Sequence, residues 1–283
     1  METILKTVVE GLAFGEGPRW HDGVLWWSDM HDHAVRRLAP SGEVQTICQV
    51  DGRPSGLGWL PGGDLLVVSM IDRRVLRLGA DGILKVHADL TAVAPRRTND
   101  MVVDRQGRAY VGNFGFDYDT DEPVTGTVLA LVQPDGAVSV VANDLVFPNG
   151  MVITPDDRTL IVAETWGVRL TAFDIRPDGS LENRRLWAQL PDGVFPDGIC
   201  LDAEGAVWVA SPTANGCFRV LEGGEVTERI DTGRGAFACM LGGSDRRTLY
   251  ICTADSSDHD PLRRNRTARI EAVPLQTPGA GLP

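Results

Sequence analysis

One short pattern recurs along this chain, and it constrains the fold more than any other feature. A small or polar residue leads into an apolar strand, then a tight turn rich in Asp and Gly, then a second apolar strand. The pattern reads GEGPRWHDGVLWWSD around Glu16, PSGLGWLPGGDLLVVSM around Ser55 and TNDMVVDRQGRAYVGNF around Asn99. It returns as PNGMVITPDDRTLIVAET around Asn149, PDGICLDAEGAVWVASP around Asp197 and FACMLGGSDRRTLYICTA around Ala238. Successive copies lie about 40 to 50 residues apart, which is the size of a four-stranded propeller blade.

Local chemistry supports strands. DLLVVSM, RAYVGNF, TLIVAET and AVWVASP are short, rich in β-branched or aromatic residues, and bounded by turn formers. HDG, GGD, RQG, PDD and AEG separate the strand pairs, where hairpins favour Gly, Asp or Asn. Each unit is expected to add two outer strands, AVRRLA and VQTICQV in the first. No stretch sustains apolar spacing at i, i+3, i+4, i+7, so long helices are not expected. A lone four-stranded sheet cannot hide both faces, whereas blades packed radially can. The expectation is an all-β, six-bladed β-propeller forming a single domain over residues 1–283, with QTPGAGLP as a loose end.

Composition narrows the partners. The formal charge is −12, from 39 acidic and 27 basic residues, which argues against nucleic acid and anionic membranes. No apolar run approaches the roughly 18 residues of a membrane span. The start METILKTVVEGLAF lacks a secretory pattern, so a cytoplasmic location is expected. The five Cys are odd in number and unpaired in spacing, which favours reduced thiols over disulfides or a thiolate zinc site. A monomer or weak homodimer is expected.

Repeat phase predicts a site. The innermost strand of each blade lines the channel, so Glu16, Ser55, Asn99, Asn149, Asp197 and Ala238 should ring one mouth. Glu16, Asn99, Asn149 and Asp197 carry side-chain oxygens. Oxygen-only donors suit Ca²⁺, Mg²⁺ or Mn²⁺ better than thiolate-preferring ions. The loops after each second strand, at 29–33, 70–72, 113–118, 165–166, 211–215 and 253–259, should wall the pocket. Trp166 is a wall candidate, whereas Trp26, Trp27, Trp59 and Trp208 read as blade core. His31 and His33 flank Asp32 in one of these loops and read as a turn rather than a second metal site. Cys200 and Cys239 read as packing residues, and Ser55 has no base motif for serine hydrolysis.

GEGPRW, the RTND segment at 97–100, FPNG at 147–150 and FPDGICLDAEGAVWVA at 195–210 resemble the senescence marker protein / gluconolactonase / luciferin-regenerating enzyme-like family. The resemblance runs through essentially the whole chain. It implies a six-bladed propeller that hydrolyses lactones with one divalent metal ion in the central channel. Ca²⁺ is the first expectation, with Mg²⁺, Mn²⁺, Zn²⁺ or Fe²⁺ as alternatives. Glu16, Asn149 and Asp197 match the family's metal ligands, and Asp197 also matches its proton acceptor and donor. Arg97 and Asn99 match substrate-holding positions, and Asn99 is also a candidate metal ligand, directly or through water. In the family an acidic residue of the third blade contacts the sugar. The matching stretch here, NFGFDYDTDEP, is long and aromatic, and Asp117 is its nearest carboxylate. The loop reads as a lid. Two other functions share this reading: another metal-dependent ester or phosphotriester hydrolase, and a non-catalytic ligand-binding propeller.

Overall fold

The structure is a computed structural model, and it describes residues 5–120 and 122–283. The predicted pairs of strands form hairpins, and each hairpin extends outward into a four-stranded antiparallel sheet. Blade 1 comprises Gly15–His21, Val24–Asp29, Ala34–Leu38 and Val44–Gln49. The innermost strands of blades 2 to 6 are Pro54–Trp59, Thr98–Val103, Pro148–Ile153, Ile199–Asp202 and Gly235–Gly242. Each inner strand neighbours the next, and that of blade 6 returns to that of blade 1. The ring of six sheets is therefore closed, and the fold is an all-β six-bladed propeller. The one α-helix among the described residues is the short His259–Asn265 segment. No described helix is long and apolar enough to cross a membrane.

Apolar residues on both faces of the blades drive this arrangement. Trp27, Leu66, Val111, Ile161, Trp208 and Ile251 are all buried between neighbouring sheets. Burial of such side chains contributes about 1.5–3 kcal/mol each before entropy is counted. Trp26 and Trp59 are only half-buried, and they pack edge to face on the outer side of the same layer. All five Cys are free thiols, and Cys200 and Cys239 are buried on neighbouring inner strands.

The two chain ends depart from expectation. Blade 6 does not supply its own fourth strand. Lys6–Leu12 pairs antiparallel with Ala268–Pro274 and completes it. The expected loose tail is instead pinned to the core. Gly279–Ala280 pairs with the inner strand of blade 5 at Leu201 and Asp202. Ile153 and Leu282 exchange backbone hydrogen bonds of 2.8 and 2.9 Å. Gly and Pro made this segment read as coil, but pairing needs only backbone N–H and C=O groups.

Crowding at the axis sets local sequence. A Cβ on Gly150 would lie 2.5 Å from the backbone nitrogen of Ile199, and one on Gly198 would lie 2.5 Å from the Cβ of Ala238. Gly56 is equally enclosed, by the backbone at Met101. Where a ring residue is followed by Gly, that Gly is thus a packing requirement. The same levels hold a buried ion pair. Arg19 of blade 1 reaches past blade 2 to Asp100 of blade 3, at 2.5 Å, and donates to the carbonyls of Leu57 (3.0 Å) and Met101 (2.7 Å) on the way. This guanidinium ties three blades together beneath the mouth.

Gly150→Ala should lower the thermal midpoint by roughly 2–10 °C, because its Cβ would meet backbone rather than movable side chain. Asp100→Ala strands a buried guanidinium and should cost about 3–5 kcal/mol in denaturant unfolding. Arg19→Met combined with Asp100→Leu should lose less than Asp100→Ala alone.

Candidate functional site

The ring residues reach the mouth through a shared irregularity. The ladder between first and second strands slips at Glu16/Arg19, Pro54/Leu57, Thr98/Met101, Pro148/Met151 and Ala236/Ala238. In blade 5 the regular ladder begins only at Ile199, while the Asp197 N–H donates to Ala210 at 2.9 Å. A bulge re-aims the side chain it carries. Repeated at this level in each blade, it turns the ring residues toward one opening.

That opening is a cavity of about 750 Å³. Glu16, Asn99, Asn149 and Asp197 all line it. Ser55 does not; it is buried, with its hydroxyl 3.5 Å from the Asn99 Oδ1. In the sixth blade the residue that faces the cavity is Phe237, not Ala238. Ala238 occupies the crowded step that blades 1, 2, 4 and 5 fill with Gly. The predicted wall loops all contribute, through Met30 and His31, Met70, Phe114 and Tyr118, Thr165 and Trp166, Thr213 and Asn215, and residues 255–259.

Two carboxyl groups share the floor. Burial, and then the charge of Asp197, push Glu16 well above the ordinary glutamate range, against the pull of the Gly17 N–H at 2.9 Å. Burial likewise raises Asp197 to about 8; the Asn149 amide offsets part of the rise and Asp100 adds to it. Carboxylates placed this way call for positive charge between them. The Asn149 Nδ2 donates to the Thr165 hydroxyl at 3.1 Å, which leaves its carbonyl oxygen uncommitted there. No group of three or more His, Cys, Asp or Glu side chains gathers around one point among the described residues. The donor set here is instead two carboxylates and two amides. All donors are oxygen, so the set fits a hard divalent cation.

A second layer stands two residues before the ring. Phe14, Arg53, Arg97, Phe147 and Phe195 lie just before the inner strands, Gly235 begins the last one, and all six line the cavity. The layer is lopsided. Blades 2 and 3 supply arginines, while blades 1, 4 and 5 supply phenylalanines. Side chains fixed from outside hold these residues. Asp29 accepts from the N–H groups of Ala13 (3.0 Å) and Phe14 (2.9 Å). Glu164 accepts from the Val146 N–H at 2.7 Å while paired to Arg169. Arg53 and Phe147 both stand in left-handed backbone, with φ of 64° and 59°. Such strain in non-glycine residues concentrates at functional sites.

Arg97 lines the cavity and is paired with Asp119, whereas its neighbour Arg96 pairs with Glu122 away from it. Asp117 does not line the cavity; its carboxylate accepts from the Asp119 N–H at 3.1 Å. The carboxylate of this loop that reaches the wall is Asp119. Loop residues have no repeat phase, so sequence alone could not choose between them. Phe114 stacks on Phe147 at 4.4 Å and Tyr118 lies 6.2 Å from the same ring, which packs the loop against blade 4. Trp166 meets Phe195 edge to face at 5.3 Å.

His31 stacks on Phe14 at 4.8 Å, and burial lowers it to about 4, so it is neutral near pH 7. Its Nε2 faces the Ser257 carbonyl at 3.1 Å. His33 lies outside the cavity lining, and Asp32 is held by Arg36 and Arg266. These three residues are thus dispersed among separate partners. With Phe237 and Asp119, Arg53 is a wall residue that the sequence reading missed. Its signal was the offset of two from Ser55, the same offset that links Arg97 to Asn99.

Comparison with known proteins agrees with this geometry. Residues 14–255 match the SMP-30/Gluconolactonase/LRE-like region. A 6-deoxy-6-sulfogluconolactonase from Pseudomonas putida is 28% identical over 275 residues, covering 94% of this chain and 89% of that protein. Regucalcin from Danio rerio is 32% identical over 278 residues, covering 90% and 86%. The structure of a gluconolactonase from Xanthomonas campestris superposes with a TM-score of 0.76 at 26% identity, covering 96% of this chain and 89% of that one. With its ring, its bulged mouth and this match along most of its length, the chain belongs to the SMP-30/gluconolactonase/LRE-like family.

Proposed function

We propose that this protein is a metal-dependent lactonase that opens a sugar-type or other small lactone to its hydroxy acid. The observation that carries this reading is the convergence of Glu16, Asn99, Asn149 and Asp197 on the floor of one cavity. Relatives named as lactonases support the reaction class. Glu16, Asn149 and Asp197 would hold the ion, with Asn99 as a fourth donor, and oxygen-only donors favour Ca²⁺. Bound there, a divalent cation would polarise the ester carbonyl and stabilise the negative charge that grows on its oxygen.

The chain's own groups do the rest. Asp197 takes a proton from the attacking water as the water oxygen bonds to the acyl carbon. It returns that proton to the ring oxygen as the acyl–oxygen bond breaks, so the product is a carboxylic acid with a free hydroxyl. Arg97 offers a planar fork of donors to the substrate's oxygens, and its partner Asp119 fixes the fork's direction. Asp119, rather than Asp117, is then the carboxylate placed to accept from a sugar hydroxyl. Phe147, Phe195 and Phe237 hold the apolar faces of the ring and limit the water around the ester.

Chelation should abolish hydrolysis of a lactone panel followed by pH indicator. Reloading with Ca²⁺, Mg²⁺, Mn²⁺, Zn²⁺ or Fe²⁺ should restore it, and the ranking identifies the ion. Asp197→Asn and Glu16→Gln should each lower turnover at least about 100-fold with an unchanged circular dichroism spectrum. A metal-loaded Asp197→Asn protein that keeps its rate would remove Asp197 from the proton-transfer role. Turnover of aryl esters or phosphotriesters, with all lactones inert, would transfer the site to the other hydrolase class.

A further inference from the structure

The second layer of the cavity carries a guanidinium with no direct ion-pair partner, although Asp255, Asp258 and Asp260 line the mouth on the blade 6 side. Arg97 is neutralised by Asp119. Arg53 also lines the cavity, yet it has no salt-bridge partner within 4.0 Å among the described residues. Its Nε is enclosed by protein with no hydrogen-bond partner, so the guanidinium would meet an anion through its Nη groups. Burial, and then the nearby charge of Arg97, weaken its hold on its proton, which is the condition of a cation that lacks a counter-ion. The charges of Asp119 and Asp260 are felt there without bonding to it. Arg53, Arg97 and Asp119 together leave one net positive charge on the wall formed by blades 2 and 3. The backbone holds Arg53 in place at a cost, in a left-handed conformation directly before Pro54. The wall of blades 4 and 5 combines aromatic residues with Thr165, Thr213 and Asn215, and it contributes no Arg or Lys to the lining.

We propose that Arg53, with Arg97 beside it, is an anion subsite, and that the preferred substrates are lactones bearing a second, ionised group such as a carboxylate or sulfonate away from the reacting carbonyl. This rests on the lactonase reading above. A guanidinium binds carboxylate or sulfonate oxygens through two parallel N–H donors. The substrate would therefore lie with its ester over the floor oxygens and its anionic end toward blades 2 and 3. A neutral sugar lactone could satisfy Arg53 only through weaker, uncharged hydrogen bonds.

The test compares D-glucono-1,5-lactone with D-glucaro-1,4-lactone, which carries a free carboxylate, on metal-loaded protein. Wild type should favour the carboxylated lactone in kcat/KM by at least about 10-fold, chiefly through KM. Arg53→Gln should erase that preference by about 10- to 100-fold in the ratio, and Arg53→Lys should retain part of it. An Arg53→Gln protein in which both substrates fall equally, or a wild type with no preference, would overturn the subsite. Calorimetry with the open-chain acids decides the matter without turnover: glucarate should bind more tightly than gluconate, and Arg53→Gln should remove the difference. Inert lactones alongside selective glucarate binding would defeat the reaction assigned above and leave the subsite standing. Hydrolysis of the neutral lactone with equal binding of both acids would do the reverse.

Discussion

Six strands meet around one axis, and in most blades their spacing leaves no room for a side chain at the step after the ring residue. Much of the structure follows from that limit. Gly17, Gly56, Gly150 and Gly198 occupy the crowded step and Ala238 fills it in blade 6, while blade 3 places Asp100 there, paired with Arg19. Because the strands cannot spread, the ladder slips by a residue at the mouth, and the slip aims Glu16, Asn99, Asn149 and Asp197 upward together. The crowding that fixes the fold also concentrates oxygen atoms at one place. Two carboxylates so confined repel each other and are poorly hydrated, which sharpens their demand for a cation.

The cavity's two walls then divide the work of recognition. The aromatic side offers flat, dry surface through Phe147, Phe195 and Phe237, with the loop around Phe114 and Tyr118 folded onto it. The arginine side offers direction and charge. On the lactonase reading proposed above, a small polar ring held between these walls would have few orientations, and orientation is a large share of what an active site contributes.

Much of this was legible in the sequence because a propeller writes its geometry as a repeat. The position of Glu16 in its unit is the position of Asn149 and Asp197 in theirs, so phase alone groups them. Legibility failed where phase was absent or blurred. The sixth unit has Ala238 where its neighbours have Gly, so the reading slid by one residue and overlooked Phe237. Asp117 and Asp119 lie in a loop that no other blade copies. Arg53 was overshadowed by Ser55, a polar residue beside a Gly that turns out to be buried away from the cavity. The strand Lys6–Leu12 and the paired tail answer to partners far away in the chain, and no local pattern announces such pairing.

The seam between Lys6–Leu12 and Ala268–Pro274 has a consequence for how the molecule is made and how long it lasts. Its two sides lie far apart in the chain, so the ring stays open until the later strand, Ala268–Pro274, has been made. Until then Lys6–Leu12 has no partner, and a bare strand edge can pair with another chain. Closing so long a loop costs only slightly more entropy than closing a short one, since the cost grows with the logarithm of length. Once closed, the ring has no free blade from which to unzip. This ladder joins the first described strand to the last blade, and a chain that loses it keeps every group of the cavity while losing the clasp that holds them in register.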